Sequence, residues 1–233
     1  MPEPRPVAIV TGASGGMGGE IVRDLATTHD VVAVGRNAAA LERLAEQSGC
    51  RPLVADVTVP GEAARIAASV DRLDVLVHAA AVSKTLGVAA ATEDEWMTQL
   101  STNVVAPALL TSATLPLLRE VEGTVVFIGS GASTRPVPGS AVYTASKHAL
   151  KAVADVLRID EAEHRLRVVT ISPGQTDTPM LRASFARAGA AYEPERYIRP
   201  ASVAGVVRFV VDAPRDVHLT DVAVRPRVEI SRL

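Results

Sequence analysis

Short runs dense in valine, isoleucine and leucine alternate with longer stretches of helical spacing, and this alternation limits the chain more than any other feature. The runs fall at 7–11, 31–34, 52–55, 73–78, 124–129, 167–172 and 217–224, with helical spacing at 16–28, 38–47, 61–70 and 143–164. Most runs are continuously apolar, which predicts strands covered on both faces. Parallel strands must be joined by crossovers, so the expected fold class is α/β: a Rossmann-type, doubly wound parallel sheet of about seven strands with helices on both faces. With 233 residues, 48% of them hydrophobic and 21% charged, the chain can build one such domain with a sizeable core. No stretch reads as a linker or repeat, so residues 1–233 are expected to form a single domain.

Two segments break the rhythm. The span 92–118 is helical in character but contains Pro107. Its missing N–H and its ring predict a kink, which could aim the neighbouring Asn103 inward. Residues 179–200 read as irregular, rich in Ala and Arg, with Phe185, Tyr192 and Tyr197. They follow a strand end, where open α/β sheets place ligands, and are expected to form a substrate-binding lid.

The net charge of −2 gives no reason to expect a nucleic acid or an anionic membrane as partner. The lone Cys50 excludes an internal disulfide, and no cluster near it has metal-ligand spacing, so no metal is expected. The polar start Met1-Pro-Glu-Pro-Arg-Pro6 does not read as a signal peptide. No apolar stretch was expected to approach the ~20 residues of a membrane span, and a cytoplasmic location follows as an expectation.

Chemistry enters at the end of the first run, in Thr11-Gly-Ala-Ser-Gly-Gly-Met-Gly18. Glycines between a strand and a helix let the backbone approach a pyrophosphate, and the helix N-terminus adds amides and partial positive charge. Gly12, Ser14, Gly15, Gly16, Met17 and Gly18 are therefore candidate cofactor contacts. Gly12, Gly16 and Gly18 satisfy one dinucleotide spacing; Gly12, Gly15 and Gly18 satisfy another. A second strand that ended in Asp or Glu would bind the ribose 2′-hydroxyl of NAD. This one ends Val31-Val-Ala-Val-Gly-Arg36-Asn37, and the Arg36 fork suits a 2′-phosphate. NADP(H) is therefore expected in preference to NAD(H), with Asn37 beside Arg36 and the Ser14 hydroxyl adding to the phosphate site.

A second cluster is Tyr143-Thr-Ala-Ser-Lys147, with Ser130 upstream at the end of an apolar run. Positions i and i+4 share a helical face, so Lys147 is expected to stabilise the phenolate of Tyr143. Tyr143 would then protonate an oxygen that has just received negative charge from hydride addition, with Ser130 as a second hydrogen-bond donor.

In this order, Thr11 to Gly18, Asp56, Asn103, Ser130, Tyr143 to Lys147 and Pro173-Gly174 resemble the short-chain dehydrogenases/reductases, over nearly the whole chain. The resemblance implies the short, single-domain branch, because the branch with the other glycine spacing usually adds a substrate domain. It implies a catalytic set of Asn103, Ser130, Tyr143 and Lys147, with Asn103 holding a water beside the lysine and Lys147 also reaching the nicotinamide ribose. It further implies that Asp56 and Val57 recognise the adenine, that Ala79, Ala80 and Ala81 border the cofactor, and that the loop Pro173, Gly174, Thr176 and Thr178 holds the carboxamide. The stretch His78-Ala-Ala-Ala81 departs from the family's usual Asn-Asn-Ala-Gly, and His78 reads as a sheet-end residue with a satisfied ring. The function implied is hydride transfer between NADP(H) and a small-molecule carbonyl or secondary alcohol, by a homodimer or homotetramer. A non-enzymatic dinucleotide sensor or scaffold of the same fold is the alternative.

Overall fold

Branched aliphatic side chains pack well on both faces of a pleated surface, and the runs that carry them become strands. The computed structural model describes residues 4–228. In it, β1 (Val7–Thr11), β2 (Asp30–Gly35), β3 (Arg51–Val54), β4 (Val75–His78), β5 (Thr124–Ile128), β6 (Arg167–Pro173) and β7 (Asp221–Val224) form one parallel sheet. Its order is β3-β2-β1-β4-β5-β6-β7. Successive strand residues divide between two cores. Ala8 and Val10 pack towards α1 (Gly16–Leu25), α2 (Ala38–Ser48) and α8 (Pro200–Val211), through Ile21, Leu41 and Val207. Ile9 packs towards α3 (Glu62–Ala67), α5 (Ala106–Glu120) and α6 (Ala141–Asp160), through Ile66, Leu110 and Leu150. The fold class is the one expected, a seven-stranded Rossmann-type sheet between two helical layers.

Strand order reverses between β1 and β4, and ligands of open α/β sheets bind beyond the strand ends at such a point. Here the two chains cross in contact. Gly12 has φ +68°, and a Cβ on it would lie 2.6 Å from the Ala80 nitrogen, so glycine is required on both counts. The Thr11 hydroxyl fastens the crossing by accepting from the Ala80 N–H (3.3 Å).

The kink expected at Pro107 takes a specific form. α4 (Glu93–Leu100) runs into α5 through a π-helical turn at Ser101–Val105. Within it the Ala106 N–H reaches back five residues to the Ser101 carbonyl. The wider turn relieves the clash that Pro107 would make with the Asn103 carbonyl four residues before it. Pro116 lies inside α5 without breaking it. Contrary to expectation, the run Glu93–Glu120 is long and apolar enough to cross a bilayer, with a mean hydropathy of 1.2. Gln99, Asn103, Thr111 and Thr114 are nevertheless buried along it, and it packs on α3 and α6, as a helix of the protein core does.

Residues 179–200 are less irregular than expected. Thr178 caps α7 (Pro179–Ala188) by accepting from the Leu181 N–H, and only the remainder is loop and short turn. The valine-rich α8 was not foreseen, because β-branched residues obscure a helical pattern.

Candidate functional site

The glycine loop, the ends of β2, β3 and β4, and the start of α7 line one open groove of about 300 Å³ at the switch point. Gly12, Ser14, Gly15, Gly16, Met17 and Gly18 are all on its wall, with Arg36, Asp56 and Val57 at one end and Ala79 to Ala81 along one side. Gly18 is as constrained as Gly12, since a Cβ there would lie 2.3 Å from the Gly12 carbonyl oxygen. At Gly16 a Cβ would meet Pro179 and Thr178 at 3.2 and 3.3 Å, so the start of α7 already lies against the glycine loop.

Arg36 is exposed at the end of β2, with its Nη1 3.5 Å from Asp56 Oδ2. The Ser14 hydroxyl lies over the adjacent Gly35, 2.9 Å from where a Cβ would be. No acid stands at that strand end. Asp56 is largely occupied: its Oδ1 accepts from the Thr58 N–H and hydroxyl at 3.0 and 2.7 Å. Those bonds, more than Arg36, hold its carboxyl below the usual range.

Several candidates stand off the groove wall, Ser130, Tyr143 and Lys147 among them. Asn37 caps α2 by accepting from the Ala40 N–H and is not on the wall. Pro173 ends β6, and a Cβ on the following Gly174 would lie 2.9 Å from Pro226, which makes that glycine a packing position beside β7. Thr176 is buried and donates to the Gly174 carbonyl at 3.1 Å. Thr178 does line the groove.

Tyr143 and Lys147 occupy the first two turns of α6, against the end of β5. Lys147 is 2% exposed, and its Nζ donates to the Ile128 carbonyl at 2.8 Å, two residues before Ser130. Desolvation lowers its pKa to about 8. Burial also pushes the Tyr143 phenol up, while the Ser130 side chain beside it acts in the opposite direction. Lys147, expected to hold the phenol down, has its Nζ 5.8 Å from the ring centroid and donating to the Ile128 carbonyl, and burial is the largest influence on the phenol here. Ser130 is fixed by the turn after β5, its hydroxyl accepting from the Ala132 N–H at 3.1 Å.

Asn103 is fully buried, and its side chain is used up. Oδ1 accepts from the Val82 N–H, and Nδ2 donates to the Val82 carbonyl and to Ser146 Oγ, at 2.9, 2.9 and 3.0 Å. Ser146 Oγ in turn donates to the Tyr143 carbonyl at 2.8 Å. The asparagine thus braces the β4–α4 segment against the helix that carries Tyr143. Pro107 withholds from the Asn103 backbone carbonyl its usual helical donor. Ser146, Val82 and Thr102 went unnoticed in the sequence. Only Ser146 left a signal there, lying next to Lys147 on the same helix.

His78 reads as expected. Its Nε2 is 2.8 Å from the Thr111 hydroxyl, its ring stacks on Phe127 at 4.9 Å, and burial lowers its pKa to about 3. No group of three or more His, Cys, Asp or Glu among the described residues is placed to hold a metal.

The short chain dehydrogenase profile matches residues 6–189. An uncharacterised oxidoreductase of Mycobacterium tuberculosis is 37% identical over 232 residues, covering 97% of this chain and 92% of that protein. Among solved structures, an actinorhodin polyketide ketoreductase with NADPH superimposes with a TM-score of 0.87 at 25% identity, over 94% of this chain and 95% of that one. A metagenomic short-chain oxidoreductase in complex with NADP gives 0.81 at 27% identity, over 96% and 98%. The chain belongs to the short-chain dehydrogenase family of oxidoreductases.

Proposed function

We propose that this oxidoreductase is NADP(H)-dependent and interconverts a carbonyl compound and its secondary alcohol, with Tyr143 as general acid and base. One observation carries the reading: the half-buried Tyr143 stands beside Ser130 and one turn from the buried Lys147, at the end of β5, the strand next to β4 whose end lines the groove. The residues fit the cofactor. Gly12, Gly15, Gly16 and Gly18 leave room for a pyrophosphate, and exposed Arg36 with Ser14 offers a cation and a hydroxyl for a 2′-phosphate. Asp56 and Val57 are at the adenine end, with Ala79 to Ala81 along the wall. Asn37 beside Arg36, and the loop Pro173, Gly174, Thr176 and Thr178 through the Thr176 backbone and the Thr178 hydroxyl, complete the proposed contacts.

The bound nicotinamide supplies or accepts the hydride. As negative charge grows on the substrate oxygen, Ser130 donates a hydrogen bond and Tyr143 transfers its proton. The phenol is the acid in reduction and, as phenolate, the base in oxidation. Lys147, still largely protonated at neutral pH, is near enough to stabilise the phenolate once it forms. Its proton is replenished through water at the Asn103 carbonyl. The described residues act as one domain, with α7 and the loop to residue 200 as the lid.

The protein acts as a homodimer or homotetramer. Val105 at the end of the π-turn, Leu109 on α5 and Val156 and Ile159 on α6 are exposed apolar residues and form the proposed contact. Oxidation of NADPH by a panel of ketones and aldehydes, abolished by Tyr143→Phe, tests the catalytic reading. Turnover unaffected by that change would discard it.

A further inference from the structure

Parallel strands paired in register deliver the residues that follow them to one edge of the sheet, and β2 and β3 do this with two opposite charges. Gly35 pairs with Val54, and the Ala55 N–H donates to the Gly35 carbonyl at 2.9 Å. The backbone therefore sets Arg36 and Asp56 side by side just beyond the strand ends. Among the described residues that line the cofactor groove, Arg36 is the only cation and Asp56 the only carboxylate. They face each other at 3.5 Å. An anion that reaches this end of the groove meets a neutral pair, not a free arginine.

The two carboxylate oxygens have different duties. Oδ1 accepts from the Thr58 N–H and from the Thr58 hydroxyl, which fixes the group in place and holds it ionised. Oδ2 is the oxygen turned to the arginine. The Asp56 side chain is 34% exposed and tied down; that of Arg36 is 71% exposed, on a long flexible stem. Of the two partners, Arg36 is the one free to move. Glu62, close enough to act on Asp56, is engaged by Arg65 at 2.6 Å.

We propose that the Arg36–Asp56 pair is an exchange latch that tempers the choice of cofactor: a 2′-phosphate must take Arg36 from Asp56, whereas a dinucleotide without that phosphate leaves the pair intact. Asp56 is then a specificity-determining residue as well as an adenine contact, and it works against NADP(H). The latch rests on the reading of Arg36 as the cation for the 2′-phosphate. Exposed ion pairs of this kind are worth up to about fivefold in an equilibrium constant, and that is the scale on which the latch acts.

Adenosine 2′,5′-bisphosphate and adenosine 5′-monophosphate test it, because they share the adenine and the 5′-phosphate and differ in the 2′-phosphate alone. Calorimetric titration gives the ratio of their dissociation constants, in which any change at the adenine contact cancels. Asp56→Asn keeps an acceptor for Thr58 and should raise the selectivity for the bisphosphate about three- to fivefold. Arg36→Met should lower it. Introduced into Arg36→Met, the Asp56→Asn change should produce less than half of that gain, because no cation is left to release. Should Asp56→Asn not fold, Asp56→Ser, which also offers the Thr58 N–H an acceptor, takes its place. Unchanged selectivity in Asp56→Asn overturns the latch, and so does a fall, which would mean that the carboxylate holds the arginine ready for the phosphate. A gain that survives largely intact without Arg36 overturns it as well, since the carboxylate would then act on the phosphate directly. Selectivity untouched by Arg36→Met defeats the phosphate reading of Arg36 and the latch with it. Selectivity that falls in Arg36→Met but does not rise in Asp56→Asn defeats the latch alone.

Discussion

Replacing His78 tests how this core is insulated from solvent. The ring is 3% exposed, stacked on Phe127 and hydrogen-bonded to Thr111. Burial alone lowers its pKa to about 3 from the ordinary 6.5. The folded state therefore refuses a proton that the unfolded chain accepts. The corresponding stability is fully present above the unfolded value and is lost as pH falls from about 6.5 towards 3. Between pH ~7.5 and pH ~5 the unfolded chain gains about 2 kcal/mol from this one group. His78→Gln keeps a polar end near Thr111 but has nothing to titrate. Whatever its stability at neutral pH, its loss between those two pH values should be smaller than the wild-type loss by about 2 kcal/mol. At a urea dependence of about 2–3 kcal/mol/M, that is a difference of roughly 0.7–1 M in midpoint shift. Carboxylates titrate in both proteins and cancel in the comparison. Parallel pH profiles would mean that the folded protein protonates His78 normally, and the insulated environment inferred for the end of β4 would be wrong.

Tyr143→Phe should lower turnover by about 10²–10⁴ with NADPH affinity little changed, read by steady-state rates and fluorescence titration. Arg36→Asp should weaken NADPH binding at least about tenfold while sparing NADH; equal wild-type affinities for the two would refute the phosphate role. The folded pKa of Lys147, about 8, lies below its ordinary 10.5. The unfolded chain therefore holds more protons between those values, and stability should rise with pH there by up to about 3 kcal/mol. Chemical denaturation of Lys147→Met should show that slope removed. Gly18→Ala forces a Cβ to 2.3 Å from a backbone oxygen and should cost more than about 1 kcal/mol as well as cofactor binding, both measurable by denaturation and titration.

Much of the fold was legible because it depends on local pattern. Each of the seven strands lies within a residue or two of its apolar run, except β7, where pairing with β6 begins only at Asp221. The helices that were missed or misplaced have identifiable causes. α8 is dense in valine, and α7 begins with a threonine cap and a proline inside a stretch whose composition looks like loop. At Pro107 the sequence revealed that the helix must yield, but not how. A π-turn is a response to the proline and to the packing of Asn103 together, and only the folded neighbours determine it.

The site divides along the same line. Residues whose side-chain type suits the proposed chemistry, such as Tyr143, Lys147, Ser130 and Arg36, stand out by type and spacing. Residues that act by holding another segment do not, because their partners are remote in sequence. Asn103 grips Val82, and Ser146 passes that grip to Tyr143. The segment Ala79 to Ala81 makes the point most clearly. It lacks the asparagines usual in similar chains, which in the sequence reads only as lost hydrogen bonds. In the fold the connection is made from the other side: Thr11 accepts from the Ala80 N–H, Gly12 packs on the same peptide, and His78 anchors the strand end to Thr111. The crossing that defines the groove is thus held by three residues around the alanines rather than by the alanines. Substituting asparagine at residue 79 would therefore restore a familiar motif without restoring a missing contact.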